Sequence, residues 1–332
     1  MDLAAPNTGM SESAPEQGPM AAAAETAVRQ CLALGEDESV VVVTDTKREV
    51  IGEELYLAAS EVTDDVSLVR YPVGAQHGEE PATAVAAAMA GADAFLAPTS
   101  KSISHTNARS AACEAGARGA TLRGITREVF ETGLNADSEA IAEECDRMPA
   151  KVADADEIRV TSDRGTDITF RPGARDWLAD TGDIAEPGSF SNLPAGEVFV
   201  APETATGRFV VDGTMHPHGL LGADEALEFE VEDGRVTHVG DDAIRAEIER
   251  AAEEAGEAAY NLAELGIGTN TGVTELVGSV LLDEKAAGTV HIAIGDDSGI
   301  GGETEAPIHS DGIIRDPTVR ADGELVELPD GV

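Results

Sequence analysis

The sequence predicts an α/β N-terminal domain with a parallel sheet, plus a β-rich α+β C-terminal domain that binds metal. Three observations carry that reading. Apolar strand-like runs alternate with helix-like segments up to about residue 150, shorter β-like runs with turn signals follow, and every histidine–carboxylate pair with ligand spacing lies in the later part. Strands buried on both faces read as continuous apolar runs and need crossover connections, which explains the first texture. Short runs bounded by turn residues belong to antiparallel sheets.

In order along the chain, residues 1–19 are rich in Pro, Gly and Ser and read as a flexible tail. A Rossmann-like α/β domain is expected over 20–150. Its elements are a helix over 22–34, a strand over 39–44 (S-V-V-V-V-T), a helix over 49–60, and a strand over 67–71. An alanine-rich helix over 82–90, a strand over 94–97, a helix after His105 and a short strand over 120–122 complete it. The second domain, 151–332, has strand-like runs at 157–161, 167–170, 196–200, 208–211 and 227–231. Asp233-Gly234 signals a hairpin. One helix, 242–258, carries acids in its first turn, where the helix dipole favours them.

A chain of 332 residues holds two ordinary domains. Its 64 acidic and 22 basic residues give a formal charge of -42, which argues against nucleic acid and anionic membranes as partners. The acids are spread along a chain that is 42% hydrophobic, so disorder is a poor explanation. A cytoplasm of very high salt is a better one, because screening removes the self-repulsion. Cys31, Cys113 and Cys145 form no metal-binding or disulfide pattern and read as buried small residues. With no apolar segment of membrane length and no leader pattern, a soluble cytoplasmic protein is expected.

The working site is expected between Glu264 and Asp311. In T-V-H-I-A-I-G at 289–295, alternation puts Val290, Ile292 and Ile294 on an apolar face and His291 on the other, beside only small neighbours. In I-H-S-D-G at 308–312, an extended chain places His309 and Asp311 side by side. With Glu264, these residues make a donor set suited to Zn, Mn, Co or Fe(II). Elsewhere the expectations are plainer. On spacing alone Glu197 reads as an exposed strand residue, and the Ser and Thr residues of 99–106 read as helix caps. His216-Pro217-His218 reads as a turn, and so do the glycine clusters at 266–268 and 299–302, beside the site.

These motifs resemble the M29 family of metal-dependent aminopeptidases, whose signatures look like N-x-P-x-G-E-V-F (here 192–199), A-E-x-G-I-G-x-N (263–270), L-L-D-E-K-x-x-G-T-V-H-I-A-x-G (281–295) and H-x-D (309–311). The likeness covers roughly 190–315. It implies that Glu197, Glu264, His291, His309 and Asp311 hold one or two divalent ions, Zn, Co or Mn, for hydrolysis of N-terminal residues from peptides by a metal-activated water. It also implies a homodimer. The chain departs from the family in carrying Asp296-Asp297-Ser298-Gly299 where a tyrosine is usual, and in its short length. Both features are similar to a related branch, the 2,5-dihydroxypyridine dioxygenases, in which His291, His309 and Asp311 would hold one Fe(II). His105 in S-I-S-H-T looks similar to a histidine that helps the chemistry there, so Glu197 and His105 are the catalytic candidates. A small peptide or other small molecule is the implied substrate, and a metal-binding protein without turnover is a third possibility.

Overall fold

The computed structural model describes residues 18–332; the part of the expected tail over 1–17 lies outside the described residues. The α/β body contains a parallel sheet of five strands in the order Val66–Tyr71, Val40–Asp45, Ala94–Thr99, Arg118–Arg123 and Phe190–Asn192. Val40 and Val42 enter one apolar cluster with Leu96 and Leu122, while Val41 and Val43 enter another with Phe95 and Met89. Alternation along one strand therefore feeds two cores, which is why the run has no polar face. The last strand comes from much later in the chain and pairs in parallel with Arg118–Arg123.

Several elements depart from expectation. The first helix, Pro19–Glu25, passes into wider turns over Thr26–Cys31, where the Leu32 N–H reaches the Ala27 carbonyl. Helices Arg127–Gly133 and Ser138–Arg147 add to the expected set, started by caps in which Thr126 accepts from the Val129 N–H and Asp137 from the Glu139 N–H. The helix Asp242–Ala255 stops short of 258 because Gly256 turns away with φ 62°.

The β-rich body has two seven-stranded sheets. One is a meander in which Phe209 and Phe229 lie in register with rings stacked 4.6 Å apart, a contact worth about 0.5–1.5 kcal/mol beyond its burial. The Asp233-Gly234 turn closes its edge hairpin, both residues with positive φ. The other sheet has at its centre His309–Ile314, Val290–Gly295, Leu262–Gly268 and Glu197–Val200, all antiparallel. Val198, Leu265, Ile267, Val290, Ile292 and Ile294 fill the core shared with the meander. Residues one position away, Glu197, Glu264, Gly266 and His291, must then project from the opposite face. Among the described residues no helix is long and apolar enough to cross a membrane.

Candidate metal centre

That opposite face brings together all five sequence-predicted ligands. Glu264 lies between the two histidines: its Oε1 is 3.0 Å from His291 Nε2 and its Oε2 is 3.4 Å from His309 Nε2. Glu197 Oε2 is 3.4 Å from His291 Nε2, and Asp311 Oδ1 is 3.3 Å from His309 Nε2. Among the described residues two sets of donors converge within 4.8 Å, Glu197–Glu264–His291 and Glu264–His309–Asp311, so Glu264 belongs to both.

The expectation that Glu197 is exposed is corrected: it is buried, because its strand lies inside the sheet between Leu178–Asp180 and Leu262–Gly268. Its charge has a partner that spacing did not reveal. Lys285 Nζ donates to Glu197 Oε1 at 2.6 Å and to Glu284 Oε1 at 2.8 Å. Burial opposes the ammonium, but Glu197, Glu284 and Asp180 hold its pKa above the usual lysine value. Burial pushes Glu197 up against the pull of Lys285.

The glycines at 266 and 268 do not form a turn, as expected, but lie within the strand Leu262–Gly268. Gly266 is paired with His291, and a Cβ at 266 would fall 2.0 Å from His291 Nε2. The missing side chain is the room in which the imidazole stands. Gly266→Ala should therefore displace His291 and weaken metal binding about 10- to 100-fold, the usual effect of disturbing a ligand's support. Metal titration beside circular dichroism checks this; unchanged affinity in a folded variant would show that the space is spare. Asn270, which ends the same motif, is a structural tie rather than a ligand: its Nδ2 donates to the carbonyls of Gly133 and Ala195.

The segment that stands where a tyrosine is usual shapes the other end of the site. His309 Nδ1 donates to the Asp296 carbonyl at 2.7 Å, which fixes the tautomer and leaves Nε2 free to ligate. Asp297 holds that loop, accepting from the Thr304 N–H and from Asn261 Nδ2.

The residues fit a cation. Four buried carboxylates, Glu197, Glu264, Glu284 and Asp311, line the site, where the Lys285 ammonium pairs with Glu197 and Glu284, and Glu197 Oε2 is buried with no hydrogen-bond partner. Burial opposes a charged imidazole at His291, yet Glu264 and Glu197 raise its pKa to about 9. At His309 burial is likewise overcome, by Asp311 and Glu264, and the pKa rises to about 12. Burial raises Asp311, but His309 pulls it well below the usual carboxylate range. The carboxylates thus hold protons on both histidines, and a metal ion would displace those protons.

The cavity above this floor has a volume of about 720 Å³, within the range of about 300–1,000 Å³ common for small-ligand sites. Its opposite wall comes from the carboxyl end of the parallel sheet, where open α/β sheets bind ligands: Ser104, His105, Arg109, Arg123 and Asn192. Thr106 caps the helix Asn107–Glu114, as expected, and a buried network of Ser104, Thr121 and Asn192 holds the loop that carries His105. Burial and the charges of Arg109 and Arg123 lower the His105 pKa. His216 and His218 lie in a turn beside Glu247 and Asp241 rather than in this cavity.

Such a fold, with carboxylates and imidazoles set as candidate metal ligands at the floor of a cleft, is that of an M29-related enzyme. The family model for 2,5-dihydroxypyridine 5,6-dioxygenase (NicX) matches residues 20–331, and the chain belongs to that family. Two solved structures share the fold. A 2,5-dihydroxypyridine dioxygenase from Pseudomonas putida KT2440 is 19% identical, with TM-score 0.74 over 94% of this chain and 96% of that one. AmpT from Thermus thermophilus is 18% identical, with TM-score 0.65 over 93% of this chain and 99% of that one. No curated protein matches the chain in sequence.

Proposed function

We propose that the chain is a metal-dependent aminopeptidase that removes N-terminal residues from short peptides. The observation that carries this reading is Glu264, whose two oxygens face different histidines and which belongs to both donor sets. Two sets sharing a carboxylate suit a pair of ions, whereas one iron needs two histidines and a carboxylate at a single point. Among the described residues His291, His309 and Asp311 form no such compact set.

When bound by these residues, Zn, Co or Mn would polarise a peptide carbonyl and lower the pKa of a water. Glu197, Glu264, His291, His309 and Asp311 serve as ligands, with Lys285 limiting the repulsion between Glu197 and Glu284. The Asp296 carbonyl keeps His309 Nε2 free. From the opposite wall His105, its pKa lowered, stays neutral at pH 7 and can accept a proton and return it to the leaving amine.

A second reading, ring cleavage of a dihydroxypyridine by Fe(II), is favoured by the family match over residues 20–331. Metal stoichiometry with two assays separates them: anaerobic release of p-nitroaniline from leucine p-nitroanilide, and oxygen uptake with 2,5-dihydroxypyridine. Hydrolysis predicts one ion for each of the two donor sets and amine release without oxygen. A single iron per chain, with oxygen uptake and no amide cleavage, would replace the first reading by the second.

A further inference from the structure

The floor of the cavity is acidic, but the wall that faces it is not. Arg123 ends the strand Arg118–Arg123, and Arg109 stands in the first turn of Asn107–Glu114. Both line the cavity that contains Glu264, His309 and Asp311. Arg123 also lines an adjoining cavity of about 610 Å³ with His77 and His216. Arg109 is held in place without an acid: its Nε donates to the Ser104 carbonyl at 2.7 Å, and its Cζ lies 4.4 Å from the centroid of the Phe190 ring.

What singles out these two arginines is their place on the cavity wall. Acids outnumber bases 64 to 22, and many arginines elsewhere, such as Arg118, Arg159 and Arg235, have a carboxylate partner. Among the described residues neither Arg109 nor Arg123 has one. Arg48, Arg208, Arg250, Arg315 and Arg320 also lack an ion-pair partner, but of these unpaired arginines only Arg109 and Arg123 line the cavity of the donor sets, where an entering anion can meet them. A guanidinium fork matches a carboxylate with two parallel hydrogen bonds.

We propose that Arg123, with Arg109 beside it, binds the terminal carboxylate of the substrate, so that the preferred substrates are short unblocked peptides lying across the cavity with the amine at the acidic floor. This rests on the aminopeptidase reading for the identity of the substrate. The cavity, of a size for a small ligand, then selects both ends of the molecule: the ligand cluster takes the amine and scissile carbonyl, and the arginine wall takes the carboxylate. Because the contact is a direct paired hydrogen bond, it survives high salt better than long-range attraction would.

The test compares leucylglycine with leucylglycinamide on the metal-loaded full chain, in the wild type and in Arg123→Met and Arg109→Met. Calorimetric binding is measured in parallel with analogues of the acid and of the amide whose peptide bond is reduced to a methyleneamine. The wild type should favour the acid by about tenfold in KM and in affinity, as a charge-assisted pair would give. In Arg123→Met the acid and amide should converge, and Arg123→Lys should restore part of the difference; metal content and circular dichroism confirm the fold. Equal values for acid and amide in the wild type, or a preference that survives both methionine variants, would overturn the proposal. If neither peptide is cleaved but the analogues still show the preference and Arg123→Met removes it, the aminopeptidase reading fails and the carboxylate site stands.

Discussion

Glu264→Ala should strip metal from both donor sets at once and, under the proposed aminopeptidase activity, lower kcat/KM on an N-terminal leucine amide by about three powers of ten or more. The magnitude follows from the several kcal/mol of transition-state stabilisation that bound ions supply, at 1.36 kcal/mol for each tenfold. Asp311→Ala touches one set only, so it should leave metal in the other. The contrast separates a shared ligand from an ordinary one. Metal analysis of both variants, with circular dichroism at high salt as the control for folding, gives the answer. A folded Glu264→Ala protein that keeps its metal and its activity would remove the shared carboxylate from the mechanism.

The second large effect is on the fold itself. Along the exposed face of Leu227–Glu232, Glu228, Glu230 and Glu232 follow one another at every second residue. On the helix Asp242–Ala255, the exposed Glu249 and Glu253 stand one turn apart. Like charges in these relations repel, and the whole chain carries a formal charge of -42. In about 1 M salt the Debye length is about 3 Å and each repulsion is local, but near 0.01 M it grows to about 30 Å and the charges act together. The ellipticity of the helices should therefore collapse as KCl is diluted from molar to about 0.01 M. A spectrum that stays constant across the series would mean that the acids are not an adaptation to salt.

The strands that carry the ligands were legible because alternation is a local rule. Val290, Ile292 and Ile294 specify a core face, and His291 is forced to the other one. The same rule joined His309 to Asp311 within one strand. It did not reach Glu197, whose burial depends on strands on both sides, or Lys285, which meets Glu197 across 88 positions of sequence. Gly266 reads as a turn residue because glycine most often marks one; its purpose appears only when His291 is placed opposite it. In the α/β body the long apolar strands were visible, whereas Phe190–Asn192 has three residues and too little pattern to announce that it completes the sheet. Arg123 carries no local signal either, since an arginine at the end of a strand looks like solvent-facing charge until the facing wall is known.

That short strand has a consequence for the size of the ligand. The chain leaves the ligand-bearing sheet after Leu178–Asp180, enters the parallel sheet at Phe190–Asn192, and returns at Glu197–Val200. It passes from one wall of the cavity to the other like a stitch through two pieces of cloth, and the return thread is short. From Asn192 to Glu197, both of which line the cavity, even a fully extended backbone reaches no more than about 18 Å. The gap between the walls at this end is therefore measured by the chain's own ruler. A longer ligand cannot wedge these walls apart to make room; it has to leave its excess length protruding through the mouth.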